Sequence, residues 1–395
     1  LLMLTWAVLR GRRILAAMFY SGVMMRGPRL AITLILTLAA CEPRGELRLM
    51  PQARGVGQVE TVFVGTTRGP DTATGAEFGI ARDSKERYVR LDISVPPVRN
   101  PGQIDWPKPD LPADPTRQFV TLAEVHYTGA PAFRADLARA IAHEKGNRRE
   151  AVVFVHGFNN TFAEGTYRLA QLGHDLGVEG AMVHYSWPSR GHPLGYVYDR
   201  DSALFARDGL EQLLRDTEAA NARKIIIVAH SMGGAVVMET LRQIALSGDR
   251  RLLDKIGGVV LMSPDIDVDV FRAQAQRIGK LPQPFVIFTS KKDKALALSA
   301  RLTGQDDRVG NLTDPTELGD LKVTLVDTTA FSTGSGHFNA GDSPGLLAIL
   351  CRIGDIESAF ASDQTGRTGL IGGVVLTVQN ATQIILSPVA AIANR

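Results

Sequence analysis

From residue 150 onward, short apolar runs alternate with longer stretches in which apolar residues recur every three or four positions. The runs cover residues 151–155, 182–187, 224–229, 258–262, 284–289 and 322–326. Between them lie 163–176, 201–219, 233–245, 268–277 and 295–302. Near-continuous apolar runs of this length suit strands buried on both faces. The intervening period suits amphipathic helices: Leu210, Leu213, Leu214 and Thr217 mark one stripe along 201–219. Strand and helix in alternation predict a parallel sheet covered on both faces, an α/β class. Right-handed crossovers would bring every strand's C-terminal end to one edge, where such sheets bind ligands.

Before residue 150 the pattern differs. Residues 59–65, 88–95 and 119–127 are β-branched and read as strands. The stretch 96–116 holds seven prolines, a density no helix or central strand survives, so it is expected to cross the surface as a loop. A helix is predicted over 131–143, with Phe133, Leu137 and Ile141 on one face and Pro131 at its first position. Residues 303–320 are polar and read as a mobile loop.

The chain begins with an address rather than a fold. Arg26-Gly27-Pro28-Arg29, then the uncharged run 30–40, then Leu38-Ala39-Ala40-Cys41 gives a basic start, an apolar core and small residues before a cut. A run of 11 residues is shorter than the ~20 that span a bilayer. Residues 1–41 are therefore read as an export leader. Translation is expected to begin at Met24 or Met25, with residues 1–23 upstream of the true start; the alternative is an N-terminal membrane anchor. Residues 42–57 read as a tether and 58–360 as the folded domain, divided into an N-terminal part (58–150) and a core (151–360). Residues 361–395 read as an apolar, Gly-rich tail that packs on the domain or grazes a membrane.

Composition removes some classes. A net charge of +3 with no long basic run argues against nucleic acid as a partner. Cys41 and Cys351 are the only cysteines, too few for a disulfide framework and without zinc spacing. No cofactor motif appears, so neither metal nor cofactor is expected.

The candidate chemistry sits at the predicted strand ends. The third run of the core ends in Ala229-His230-Ser231-Met232-Gly233-Gly234 and a helix follows. Strand, sharp turn and helix is the setting of a nucleophilic serine, with small residues where the turn packs closely. Ala229 stands where glycine is usual. The plainer alternative is that Ser231 only caps the helix. The first run ends in Val155-His156-Gly157-Phe158-Asn159, where the Phe158 N–H could join that of Met232 in an oxyanion hole. Asn159 could add its side chain. Of eight histidines, only His337 follows the last run of the core, in Gly334-Ser335-Gly336-His337-Phe338, so it is the candidate general base. His230 is read as packing and His156 as structural. For the acid, Asp293 after the fifth run is preferred to Asp265 after the fourth. Trp187, Tyr196 and Tyr198 could line a pocket or pin the loop that carries them.

Taken together, Phe154-Val155-His156-Gly157-Phe158-Asn159, Tyr185-Ser186-Trp187-Pro188-Ser189, Ala229–Gly234 and Ser263-Pro264-Asp265-Ile266-Asp267 resemble a bacterial α/β-hydrolase branch described only as esterase/lipase-like and of unknown function. The resemblance spans residues ~59–350. It implies a Ser-Asp-His triad on a mostly parallel, eight-stranded sheet with helices on both faces. The expected activity is hydrolysis of a carboxylic ester through an acyl-enzyme at Ser231. A thioesterase, an amidase or a non-catalytic envelope lipoprotein with the same fold are the alternatives. Leu38–Cys41 also resembles the bacterial lipobox, which implies lipidation of Cys41 and anchoring to a membrane of the cell envelope, at the outer membrane or periplasmic face. A plain signal peptide is the alternative there.

Overall fold

The computed structural model describes residues 45–71, 76–107, 111–143, 148–304, 307–312, 314–331, 337, 373–378 and 381–386, and one sheet organises them. Its strands in chain order are β1 (Gln58–Arg68), β2 (Arg82–Val95), β3 (Val120–Tyr127), β4 (Glu150–Val155), β5 (Ala181–Ser186), β6 (Lys224–His230), β7 (Ile256–Met262), β8 (Phe285–Thr289), β9 (Val323–Asp327), β10 (Gly373–Val378) and β11 (Ala381–Leu386). Their spatial order is β10-β11-β9-β8-β7-β6-β4-β5-β1-β2-β3. The run from β11 to β1 is parallel throughout. Antiparallel β2 and β3 extend one end and β10 the other, so the described sheet has eleven strands where eight were expected.

Alternation along the strands divides the core in two. Val153 and Val155 of β4, Ile225, Ile227 and Ala229 of β6, and Phe63 of β1 face one side. Phe154, Val228, Val62 and Val64 face the other. The first face is covered by α1 (Ala130–Ala142), α3 (Tyr196–Ala219), α4 (Met232–Leu246) and α6 (Val268–Ile278). The second takes α2 (Phe162–Leu176) and the proline-rich loop. That loop is tied to α2: Trp106 stacks on Tyr167 at 5.4 Å, and Arg99 pairs with the buried Asp175. The start of α2 follows from its sequence, because Thr161 and Glu164 form a reciprocal capping box. Two further helices are described, α5 (Arg250–Lys255) and α7 (Lys294–Thr303).

The tether reading of residues 42–57 and the loose reading of 303–320 need correction where the structure describes them. Thr121 N–H donates to the Arg48 carbonyl and Met50 N–H to that of Thr121, so this segment lies along β3. Val309, Leu312 and Leu318 are buried, and Gly310 N–H donates to Pro264 O. Within the tail, β10 and β11 form a hairpin whose second strand pairs with β9. The leader with Cys41, Cys351 and the rest of the tail lie outside the described residues.

The fold places a crevice. From β4 the chain moves to β5 on one side, then crosses back to β6 on β4's other side. The winding therefore reverses between β4 and β6, and ligands in such sheets bind beyond the strand ends at that point. The His156–Asn159 loop and Ser231 follow those two strands.

Candidate active site

Ser231 occupies the turn between β6 and α4 with φ +52° and ψ −125°. A non-glycine residue holds this left-handed conformation at a cost, and functional sites are where such strain collects. The surroundings enforce it. Ser231 N–H donates to Met262 O at 2.9 Å, and its carbonyl accepts from Asp265 N–H at 3.2 Å. Two glycines permit the close approach. A Cβ on Gly233 would lie 2.5 Å from both the Val155 and His156 carbonyl oxygens, and one on Gly157 would lie 2.9 Å from Ser231 Cβ. The Ser231 hydroxyl does not cap α4. It meets His337 Nε2 at 2.9 Å instead.

On its other side His337 Nδ1 meets Asp293 Oδ2 at 2.8 Å. Asp293 is buried and is the N-cap of α7, its Oδ1 accepting the Leu296 N–H at 3.0 Å. One carboxylate thus orients the imidazole with one oxygen while the helix fixes the other. Asp265 is turned elsewhere: it accepts from Ser299 Oγ at 2.7 Å and Tyr196 OH at 2.9 Å and lies 3.3 Å from Arg308 Nε. Serine, histidine and Asp293 come together, and Asp265 stands apart from the imidazole.

Gly157 brings its loop against the elbow, so Phe158 and Met232 flank Ser231 from two chain segments. Among the described residues neither backbone N–H has a hydrogen-bond acceptor. Met232 is the first residue of α4, where the helix's unpaired N–H groups and dipole favour negative charge.

His230 does more than fill space. Its half-buried ring lies 4.8 Å from that of His337, and its Nε2 is 3.3 Å from the His337 carbonyl. Burial, reinforced by the neighbouring imidazole, pushes its pKa well below the usual value, so it stands neutral and donates that bond. His156 is fully buried and likewise neutral. Its ring stacks on Trp187 at 4.9 Å, while Trp187 Nε1 donates to His156 O at 2.7 Å. Trp187 is therefore a packing residue. Tyr198 pins its loop too, with its hydroxyl on Ile80 O at 2.7 Å. Tyr196 faces a cleft and packs edge-on to Phe158 at 5.5 Å.

Two residues that hold this geometry had no motif to mark them. The buried Arg68, at the end of β1, donates to Ser186 Oγ, Ser189 O and Asn160 O at 2.8–2.9 Å. Burial lowers its pKa only to about 10, so it stays charged. Asp199, in the first turn of α3, accepts from Ser189 Oγ at 2.6 Å, Arg190 N–H at 2.6 Å and Asn159 N–H at 3.2 Å. Asn159 has φ +59°, so a buried carboxylate clamps a strained residue next to Phe158. An arginine closing an apolar strand was the one available signal.

A family model describing an alpha/beta hydrolase of unknown function (DUF900) matches residues 131–352, which takes in Ser231, Asp293 and His337. The chain belongs to that family. Among solved structures, this alpha/beta hydrolase is similar to a cutinase-like protein from Cryptococcus sp., 10% identical over 53% of this chain and 94% of the other, TM-score 0.32. It is also similar to Aspergillus fumigatus lipase B, 14% identical over 62% of this chain and 60% of the other, TM-score 0.35. No curated protein matches it by sequence. Among the described residues, no cluster of three or more His, Cys, Asp or Glu side chains is placed to hold a metal ion.

Proposed function

We propose that the protein cleaves a carboxylic ester through an acyl-enzyme at Ser231. The observation that carries this reading is the unbroken chain Ser231 Oγ–His337 Nε2–His337 Nδ1–Asp293 Oδ2, at 2.9 and 2.8 Å, with the serine held in a strained turn. His337 takes the hydroxyl proton as Oγ attacks the ester carbonyl. The carbonyl oxygen gains charge between the Phe158 and Met232 N–H groups, where one such donor typically contributes ~3–4 kcal/mol to the transition state. As the C–O bond breaks, His337 returns the proton to the leaving alcohol. Water, deprotonated by the same imidazole, then hydrolyses the acyl-enzyme. Asp293 keeps Nδ1 protonated and stabilises the imidazolium.

Turnover of p-nitrophenyl esters by the purified protein, lost in Ser231→Ala, is the expected result. Folded wild-type protein that leaves these esters intact would overturn the ester assignment. Thioesters and amides run beside them would show whether either is preferred.

From its leader we also propose that the protein is exported and lipid-anchored at Cys41 to a bacterial envelope membrane. Fatty-acid incorporation that disappears in Cys41→Ser is expected; equal incorporation in both proteins would refute the anchor.

A further inference from the structure

A cleft of about 590 Å³ opens beside the nucleophile turn. Met232, the residue after Ser231, forms part of its wall, as do Tyr196, which packs on Phe158, and Ile266 of the loop after β7. The cleft thus adjoins the candidate oxyanion site through Met232 and Tyr196. Its volume lies within the range of small-molecule sites.

The rim is unusual for a water-facing surface. Leu194 is 89% exposed, Val197 73% and Leu302 65%, and Leu204 and Val270 are also exposed. All five line this one cleft, although they come from four segments: the turn before α3, α3 itself, α6 and α7. Scattered single leucines need no explanation, but aliphatic side chains converging on one concavity do. The charged groups in the walls are partly spent on the protein. Glu239 is paired with Arg242, Asp267 caps α6, and Asp265 is held by Tyr196, Ser299 and Arg308.

We infer that this cleft binds the acyl chain of the substrate, so the preferred substrates are aliphatic esters of medium to long chain. This inference rests on the ester-hydrolase reading of Ser231. The ester carbonyl sits between Phe158 and Met232, and the chain runs from there past Tyr196 to the exposed leucines. Each methylene laid against these walls leaves water, so transition-state binding should grow with chain length until the cleft is filled.

The test has two arms, both on the full chain. In the first, kcat/KM is measured for p-nitrophenyl acetate, butyrate, octanoate and laurate. Wild type should favour the longer chains. The surface variant Leu204→Ser/Leu302→Ser should lose about tenfold on octanoate relative to acetate, the effect of removing roughly two methylene contacts. Ala235→Phe, which narrows the cleft, should shift the optimum to shorter chains. Leu246→Ser, exposed at the far end of α4, should leave the profile as it is. In the second arm, a dansyl-labelled undecanoic acid is titrated into Ser231→Ala, and the Leu204/Leu302 changes should weaken its binding by a similar factor.

Turnover with a flat or falling length profile, or a profile unmoved in folded cleft variants, overturns the assignment and leaves the hydrolase reading standing. Probe binding that depends on Leu204 and Leu302 in a protein without turnover supports the cleft and removes the hydrolase reading. A protein that neither binds the probe nor turns over any ester removes both.

Discussion

Replacing Asp293 by asparagine separates its two tasks. The Leu296 N–H needs an acceptor, so the amide oxygen stays on α7 at the 3.0 Å contact that Oδ1 makes now. Asparagine caps helices about as well as aspartate, so stability should change by less than about 1 kcal/mol. The amide nitrogen then faces His337 Nδ1 at the present 2.8 Å position. Two donors cannot share that contact, so the ring turns to the tautomer with its proton on Nε2, facing Ser231 Oγ. An imidazole in that state cannot take the serine's proton. The expected loss in kcat is about 10³–10⁴-fold, or ~4–5.5 kcal/mol of transition-state stabilisation, with KM little changed. Steady-state kinetics on a p-nitrophenyl ester, run beside thermal unfolding, would read both quantities. Asp265→Asn, which touches Tyr196, Ser299 and Arg308, should cost less than about tenfold. An Asp293→Asn enzyme within tenfold of wild type, or a 10³-fold loss in Asp265→Asn, would refute the reasoning.

Gly157→Ala should lower kcat by about 10²-fold or more in a folded protein, because its Cβ would lie 2.7 Å from His230 Nδ1 and 2.9 Å from Ser231 Cβ and push the proposed oxyanion loop off the elbow; unchanged kinetics would show that the loop has room. Arg68→Ala should lower the unfolding free energy by about 3–5 kcal/mol, since it strips donors from two buried acceptors and one half-buried one and leaves Asp199 unbalanced; denaturant titration would show it, and a loss under 1 kcal/mol would contradict the network's importance. Stability should also fall with acid. Burial depresses the pKa of His156, His184 (to about 3) and His230, so each is neutral when folded but protonates near pH 6.5 once unfolded. Their contribution is fully present above about pH 6.5 and is lost as pH falls toward the folded pKa values, His184 alone losing about 1 kcal/mol between pH 6.5 and 5.5. Glu86, Glu60 and Asp199, whose pKa values burial raises, oppose this in part. Unfolding midpoints that stay flat over this interval would contradict the neutral assignment.

The alternating core was legible because its strands are apolar on both faces and its helices carry one stripe, two patterns that need no tertiary information. The first six residues of β2, Arg82-Asp83-Ser84-Lys85-Glu86-Arg87, were not legible. Charge dominates there, and the segment is a strand because its neighbours pair with it. β10 and β11 were hidden for a similar reason. An apolar, Gly-rich tail does not announce a partner, and the partner is the free edge of β9. At the site, the spacing around Ser231 and the position of His337 after the core carried their own signal. Choosing Asp293 over Asp265 rested on strand order, and the distances separate them only once the imidazole is placed. Arg68 reaches partners 92 to 121 residues away, Asp199 holds Asn159 40 residues away and His230 meets His337 107 residues away, so no local pattern encodes these contacts.

The most direct test of the central proposal is covalent. The purified protein would be treated with a fluorophosphonate probe and the modified peptide identified by mass spectrometry, with heat-unfolded protein and Ser231→Ala as controls. One adduct is expected, on Ser231, formed only by the folded protein and slowed at least ~10³-fold in Asp293→Asn. A folded protein that stays unlabelled, or one labelled equally well in Ser231→Ala, would contradict it.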